Sequence, residues 1–191
     1  MNREVLRILA LILIIVGVFI FLNKQPVNNS QQKQCNATPT PSLTEGPYYK
    51  SNSPLRTNLI EGGVIGEKIT ITGYVYDINC NPISGALLDF WQADGNGIYD
   101  NSGYKLRGHQ FTDKDGKYIL ETVIPGEYPG RTPHIHLKIM ANDKSPIVTS
   151  QLFFPDKSQN QRDNIFDSRL IMKIKDTPEG KQAKYNFAIS N

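Results

Sequence analysis

From Lys68 onward apolar and polar positions alternate through Ile69-Thr70-Ile71-Thr72-Gly73-Tyr74-Val75-Tyr76, and the run stops at the turn cluster Asp77-Ile78-Asn79-Cys80-Asn81-Pro82. A period of two built from β-branched and aromatic residues predicts a half-buried strand and its exit. Further apolar runs fall at Ala86 to Trp91, Tyr118 to Ile124, His134 to Met140 and Ile147 to Phe154. Between them lie Asp94-Gly95-Asn96-Gly97, Asp113-Lys114-Asp115-Gly116 and Pro125-Gly126, residues that suit tight turns. A weaker strand is expected near Ala183 to Ile189, and Asn160 to Phe166 suits one helical turn. Short strands at this spacing predict an all-β fold, a single β-sandwich domain of mostly antiparallel strands with no internal repeat.

The N-terminus carries a different pattern. After Arg3 and Arg7 come fifteen uninterrupted apolar or Gly residues from Ile8 to Leu22. That is long for the apolar part of a signal peptide and short for a spanning helix. No small-x-small cleavage pattern follows Leu22, so an uncleaved membrane anchor is expected, with a cleaved signal peptide as the alternative; both export the rest of the chain. Residues 24 to 42 are rich in Gln, Asn, Thr, Pro and Ser and read as a flexible tether. The expected organisation is therefore signal-anchor or signal peptide over 1–23, tether over 24–42 and folded domain over 43–191.

Composition agrees with one core. The chain has 191 residues, 39% of them hydrophobic and 20% charged, with 15 Gly and 12 Pro that favour turns over long helices. The formal charge of +3 is small and its Lys and Arg are scattered, so no basic stripe exists to attract a nucleic acid. The two cysteines are Cys35 in the tether and Cys80 in a turn. In an oxidising compartment that count predicts one disulfide pinning tether to domain.

The candidate chemistry centres on His134-Ile135-His136. Side chains alternate across a strand, so Ile135, Leu137 and Ile139 share the core face while both imidazoles share the other. Neutral imidazole is the commonest protein metal ligand. Alone, such a pair suits an ordinary polar strand face equally well. No Asp or Glu lies within the strand to complete a carboxylate-containing site, which turns attention to Tyr128, six positions before His134 in the loop Pro125-Gly126-Glu127-Tyr128-Pro129-Gly130-Arg131-Thr132-Pro133, and to Tyr99, which ends Trp91-Gln92-Ala93-Asp94-Gly95-Asn96-Gly97-Ile98-Tyr99. A phenol titrates near pH 10, so only a strongly Lewis-acidic ion such as Fe(III) would hold two of them as phenolates at neutral pH.

Those two segments, running on into His134-Ile135-His136, resemble the signature of intradiol ring-cleavage dioxygenases. The likeness extends from Leu43-Thr44-Glu45-Gly46-Pro47-Tyr48-Tyr49 to about Phe154. It implies a non-haem Fe(III) cofactor with Tyr99, Tyr128, His134 and His136 as ligands, and a pocket arginine and glutamine at Arg131 and Gln151. It further implies cleavage of a catechol-type ring with O2 to a cis,cis-muconate-type diacid. Tyr128 would leave the metal and help take up a substrate proton, while Arg131 supplies fixed positive charge beside the ring. Only about 25 residues separate the tether from the first clear strand, which is unlike the catechol 1,2-dioxygenase branch with its helical region. The chain instead looks like small secreted members related to the protocatechuate 3,4-dioxygenase branch.

The implied partners are a small aromatic diol and O2, with the membrane met through the N-terminal segment and a homodimer left open. The alternative is a non-catalytic cell-surface binding module of the transthyretin or carboxypeptidase-regulatory kind, whose strand pattern would look alike. His109, in Arg107-Gly108-His109-Gln110, reads as a loop residue. Because no second cation is convincingly placed to pair with a ring carboxylate, a catechol without one is the expected substrate; Lys138, Lys105 and Arg107 are the residues that could reverse this.

Overall fold

The computed structural model describes residues 38–141 and 148–190, so the predicted N-terminal anchor, Cys35 and most of the tether lie outside the described residues. Among the described residues nine strands make two sheets: β1 (Lys68–Asp77), β2 (Leu87–Trp91), β3 (Arg107–Phe111), β4 (Lys117–Val123), β5 (His134–Met140), β6 (Val148–Phe153), β7 (Lys173–Thr177), β8 (Gly180–Lys184) and β9 (Phe187–Ile189). One sheet has the order β3-β2-β5-β6, antiparallel throughout. The other runs β4-β1-β8-β7, with β9 also beside β1. In it β1 is antiparallel to β4 but parallel to both β8 and β9.

The alternation seen in the sequence builds the core. Ile69, Ile71 and Val75 of β1 and Leu120 of β4 face Leu88 and Phe90 of β2, Ile135, Leu137 and Ile139 of β5, and Leu152 of β6, all buried in one cluster. Each such side chain contributes about 1.5–3 kcal/mol over its exposed state. At Gly73 the neighbour of β1 changes from β8 to β9, and the intervening chain crosses so closely that a Cβ would lie 1.7 Å from the Tyr185 carbonyl oxygen. Only glycine admits that crossing.

The described residues form three strands more than the sequence predicts. The segment around His109 is β3, an edge strand paired to β2, and the single weak strand expected near the C-terminus is two, β8 and β9, with β7 ahead of them. These strands read poorly because they are polar or short: β3 contains Arg107, Gly108 and Gln110, and β7 and β8 form a charged hairpin at a sheet edge. Pairing, not local preference, makes them strands. The expected helical turn falls at Ser158–Arg162 as a short 3-10 helix.

Residues 38–58 form a strap around the sandwich. The Thr40 amide donates to Ala188 of β9 and the Ser150 hydroxyl of β6 donates to the Pro41 carbonyl, so residues 38–42, tether-like in composition, are bonded to both sheets at this end, and the Leu43 amide adds a bond to Thr149 of β6. At the opposite side, Arg56 bonds to His109 of β3, and Thr57 and Leu59 bond to Glu121 of β4. Between these anchors the strap crosses the outer face of the β3-β2-β5-β6 sheet. Edge strands left bare invite association, and the strap satisfies their backbone groups.

Candidate metal centre

On β5, His134 and His136 point away from the core as the period of two requires, yet they are only 2% and 1% exposed. Their cover comes from the strap and from two loops. The Trp91 indole, on the neighbouring strand and in register with His136, stacks on its ring at 4.9 Å and 11°. Tyr48 of the strap stacks on Tyr99 at 4.3 Å, and Tyr49 meets Trp91 edge-on. The result is a second, smaller apolar cluster of Trp91, Ala93 and Tyr99 on the outer face of the sheet.

The tyrosines arrive on loops pressed backbone to backbone. The Gly126 amide donates to the Asp94 carbonyl at 2.8 Å, and a Cβ on Gly126 would lie 2.4 Å from the Gly95 oxygen. Asp94 itself folds its loop by accepting from the amides of Asn96 and Ile98. This contact sets Tyr99 and Tyr128 with ring centroids 5.8 Å apart.

Four donors converge. His134 Nε2 and His136 Nε2 are 3.0 Å apart, and Tyr128 Oη is 3.3 Å from His134 Nε2. The Tyr99 ring lies 6.3 Å from that of His136, and its buried hydroxyl has no hydrogen-bond partner among the described residues. His134 Nδ1 donates to the Thr132 carbonyl at 2.6 Å, which turns the Nε2 lone pair toward this point. Burial, reinforced by Arg131, pulls His134 down to about 4, and burial with His134, Arg131 and Arg107 nearby holds His136 well below its ordinary value, so both rings are neutral. Two neutral imidazoles with facing nitrogens at 3.0 Å suit a shared cation. Among the described residues no group of three His, Cys, Asp or Glu could hold a metal ion, so a metal here depends on the tyrosine oxygens. Burial raises both phenols, with Tyr128 adding to the rise at Tyr99. The residues fit a strongly Lewis-acidic cation, which alone would keep such phenols ionised.

Arg131 and Gln151 lie beside this centre. Arg131 donates to Tyr128 Oη at 3.3 Å and to Gln151 Oε1 at 2.5 Å, while Gln151 Nε2 holds the Thr44 carbonyl of the strap. The other cations raised by the sequence are engaged elsewhere. Lys138 pairs with Glu45 and lies 3.4 Å over the Tyr49 ring. Arg107, buried, donates to the carbonyls of Tyr48 and Asp100. Lys105 is exposed beside Gly63. His109 joins Ser53 and Asp89 under the strap and takes no part in the donor set. Sequence reading passed over Trp91 as a neighbour of His136, Tyr48 as a neighbour of Tyr99, and Asp163, which holds Arg131. Register with β5 could have placed Trp91; no local pattern marks the other two.

A family model described as dioxygenase matches residues 44–190. Among solved structures, the dioxygenase domain of a dioxygenase carbohydrate-binding protein fusion from Streptomyces sp. SirexAA-E is 45% identical, with a TM-score of 0.76 over 80% of this chain and 98% of that one. An intradiol ring-cleavage dioxygenase from Tetranychus urticae is 29% identical, with a TM-score of 0.73 over 82% and 95%. Hydroxyquinol 1,2-dioxygenase from Nocardioides simplex is 25% identical over 79% of this chain and 60% of its own length. The chain spans about half to two thirds of the length of such relatives.

Proposed function

The chain belongs to the intradiol ring-cleavage dioxygenase family, and from that premise we propose that it opens a catechol-type ring with O2 at a non-haem Fe(III) ion held by Tyr99, Tyr128, His134 and His136. The observation that carries this reading is the convergence of three of these donors within 3.0–3.3 Å beside the unpartnered, buried hydroxyl of Tyr99. Ferric iron in such a site supplies the Lewis acidity that binds both oxygens of a catechol and makes its ring reactive toward O2.

The protein's own groups then divide the work. Tyr99 is deeply buried and stacked under Tyr48, which holds its ring in place and suits a ligand that does not leave the site. Tyr128 is only half-buried, between the exposed residues Glu127 and Pro129, so it can swing outward and accept a proton from a substrate hydroxyl. Arg131, fixed by three partners, holds positive charge where electron density shifts during ring opening. The strap and Trp91 exclude water from the opposite side of the histidines.

A substrate without a carboxylate fits best, because Lys138 and Arg107 are already paired or bonded and Lys105 faces solvent. Residues 1–23 support work outside the cytoplasm, with Arg3 and Arg7 ahead of an unbroken apolar run. The decisive test is iron content, visible absorption and oxygen uptake of purified protein with catechol and protocatechuate. The expected result is about one iron per chain, a tyrosinate-to-iron band, and one O2 consumed per catechol, with catechol turned over at least as fast as protocatechuate. Colourless protein that binds no iron would refute the reading and leave a binding module; a strong preference for protocatechuate would mean that one of the three cations reaches the pocket.

A further inference from the structure

Arg131 does not hold itself in place. One carboxylate, that of Asp163, organises the whole approach to β5. Its Oδ2 accepts from Arg131 Nε at 2.9 Å and from the Thr132 amide at 3.0 Å, while its Oδ1 accepts from the Ile165 amide at 2.9 Å. The Asp163 side chain is 1% exposed and that of Arg131 13%, so this pair is screened little by solvent. The segment around it adds a second grip: Asn160 Oδ1 accepts from Thr132 Oγ1 at 2.6 Å, and Asn160 Nδ2 donates to the Phe154 carbonyl. Thr132 is the residue whose carbonyl orients His134. Fixing Arg131 through Nε leaves its remaining nitrogens aimed at Tyr128 and Gln151.

We infer that Asp163 is a positioning residue for the ring-cleavage reaction, locking Arg131 and the Thr132 backbone so that guanidinium, Tyr128 and His134 keep one arrangement through turnover. This rests on the dioxygenase reading above and adds to it a residue twelve positions beyond Gln151, in an irregular segment. A carboxylate is required because it must accept from three donors at once. The amide of an asparagine would turn an N–H toward one of them and remove the charge that balances Arg131.

The test is a double-mutant cycle on the iron-loaded enzyme with Asp163→Asn and Arg131→Ala, alone and together, reading kcat and KM for catechol, iron content, and absorption-detected affinity for 4-nitrocatechol. Asp163→Asn should keep its iron and lower kcat by about 10²-fold, the scale of a small misplacement of a catalytic group, while KM moves less. In the Arg131→Ala background it should cost far less, at most a few-fold, because only its hold on the Thr132 backbone is left to lose. Wild-type kcat in Asp163→Asn, or losses that simply add in the double variant, would overturn the proposal. If Asp163→Asn fails to fold because a buried guanidinium is left unpaired, Arg131→Ala should restore folding, and failure to do so would count against the pairing. An iron-free, inactive wild type would refute the parent reading instead. Asp163 is then read in the metal-free protein, where Asp163→Asn should speed hydrogen exchange at the Thr132 and Ile165 amides at least tenfold; unchanged exchange would overturn it.

Discussion

Tyr99 and Tyr128 share a chemistry and differ in surroundings, and that difference sets distinct mutant phenotypes. Tyr128→Phe should retain iron, because His134, His136 and Tyr99 remain, but should shift the visible band and slow formation of the catecholate complex in stopped-flow absorption. His134→Ala and His136→Ala should lose most of the iron by elemental analysis, since each removes a neutral nitrogen from a face that is almost fully buried. Arg131→Ala should keep iron and colour yet lower kcat by about 10²-fold or more, as loss of a preorganised charge does. Full activity in Arg131→Ala, or full iron occupancy in both histidine variants, would remove the assigned roles.

At the scale of elements, the site depends on how closely the 94–99 and 125–128 loops approach. A Cβ on Gly126 would meet the Gly95 oxygen at 2.4 Å and the Gly97 nitrogen at 2.6 Å, both backbone atoms that cannot turn aside. Gly126→Ala should therefore destabilise the fold by about 1–3 kcal/mol in chemical denaturation, the usual cost of overpacking. It should also part the two tyrosines and weaken iron retention. Gly62→Ala is the control: a Cβ there meets nothing within 4 Å and the backbone is ordinary, so stability and iron should both stay unchanged. Equal behaviour of the two variants would mean that loop contact does not set the tyrosine spacing.

At the scale of the whole molecule, the strap joins the two sheets at both open sides and covers the candidate site. Cys80 lies in the turn after β1 with φ at 66°, while Cys35 lies outside the described residues. The proposed Cys35–Cys80 disulfide would close a loop of about 45 residues and hold the start of the strap, stabilising the domain by roughly 3–4 kcal/mol on a chain-entropy account. Thiol labelling of denatured, unreduced protein from an oxidising compartment should find no reactive cysteine. Two labelled cysteines per chain would sink the pairing.

The strand alternation of Ile69 to Tyr76 and of His134 to Met140 was enough to specify a β-sandwich, its core face and the side from which the imidazoles project, because side-chain direction along a strand follows from the backbone period alone. The segments around Tyr99 and Tyr128 likewise marked the residues that gather. Their gathering depends on long-range contact: Gly126 against the 94–97 turn, Trp91 in register with His136, and Tyr48 brought over Tyr99 by a strap anchored at both sides of the sandwich. The burial of His134 and His136 was equally illegible, since a strand shows which face a residue takes and not what covers that face. Asp163 had no local signal at all, for its three donors come from Arg131, Thr132 and Ile165, and two of them lie some thirty positions earlier in the chain. Periodicity is local and therefore written in the sequence; the convergence of separate loops and the satisfaction of a buried carboxylate exist only once the chain has packed.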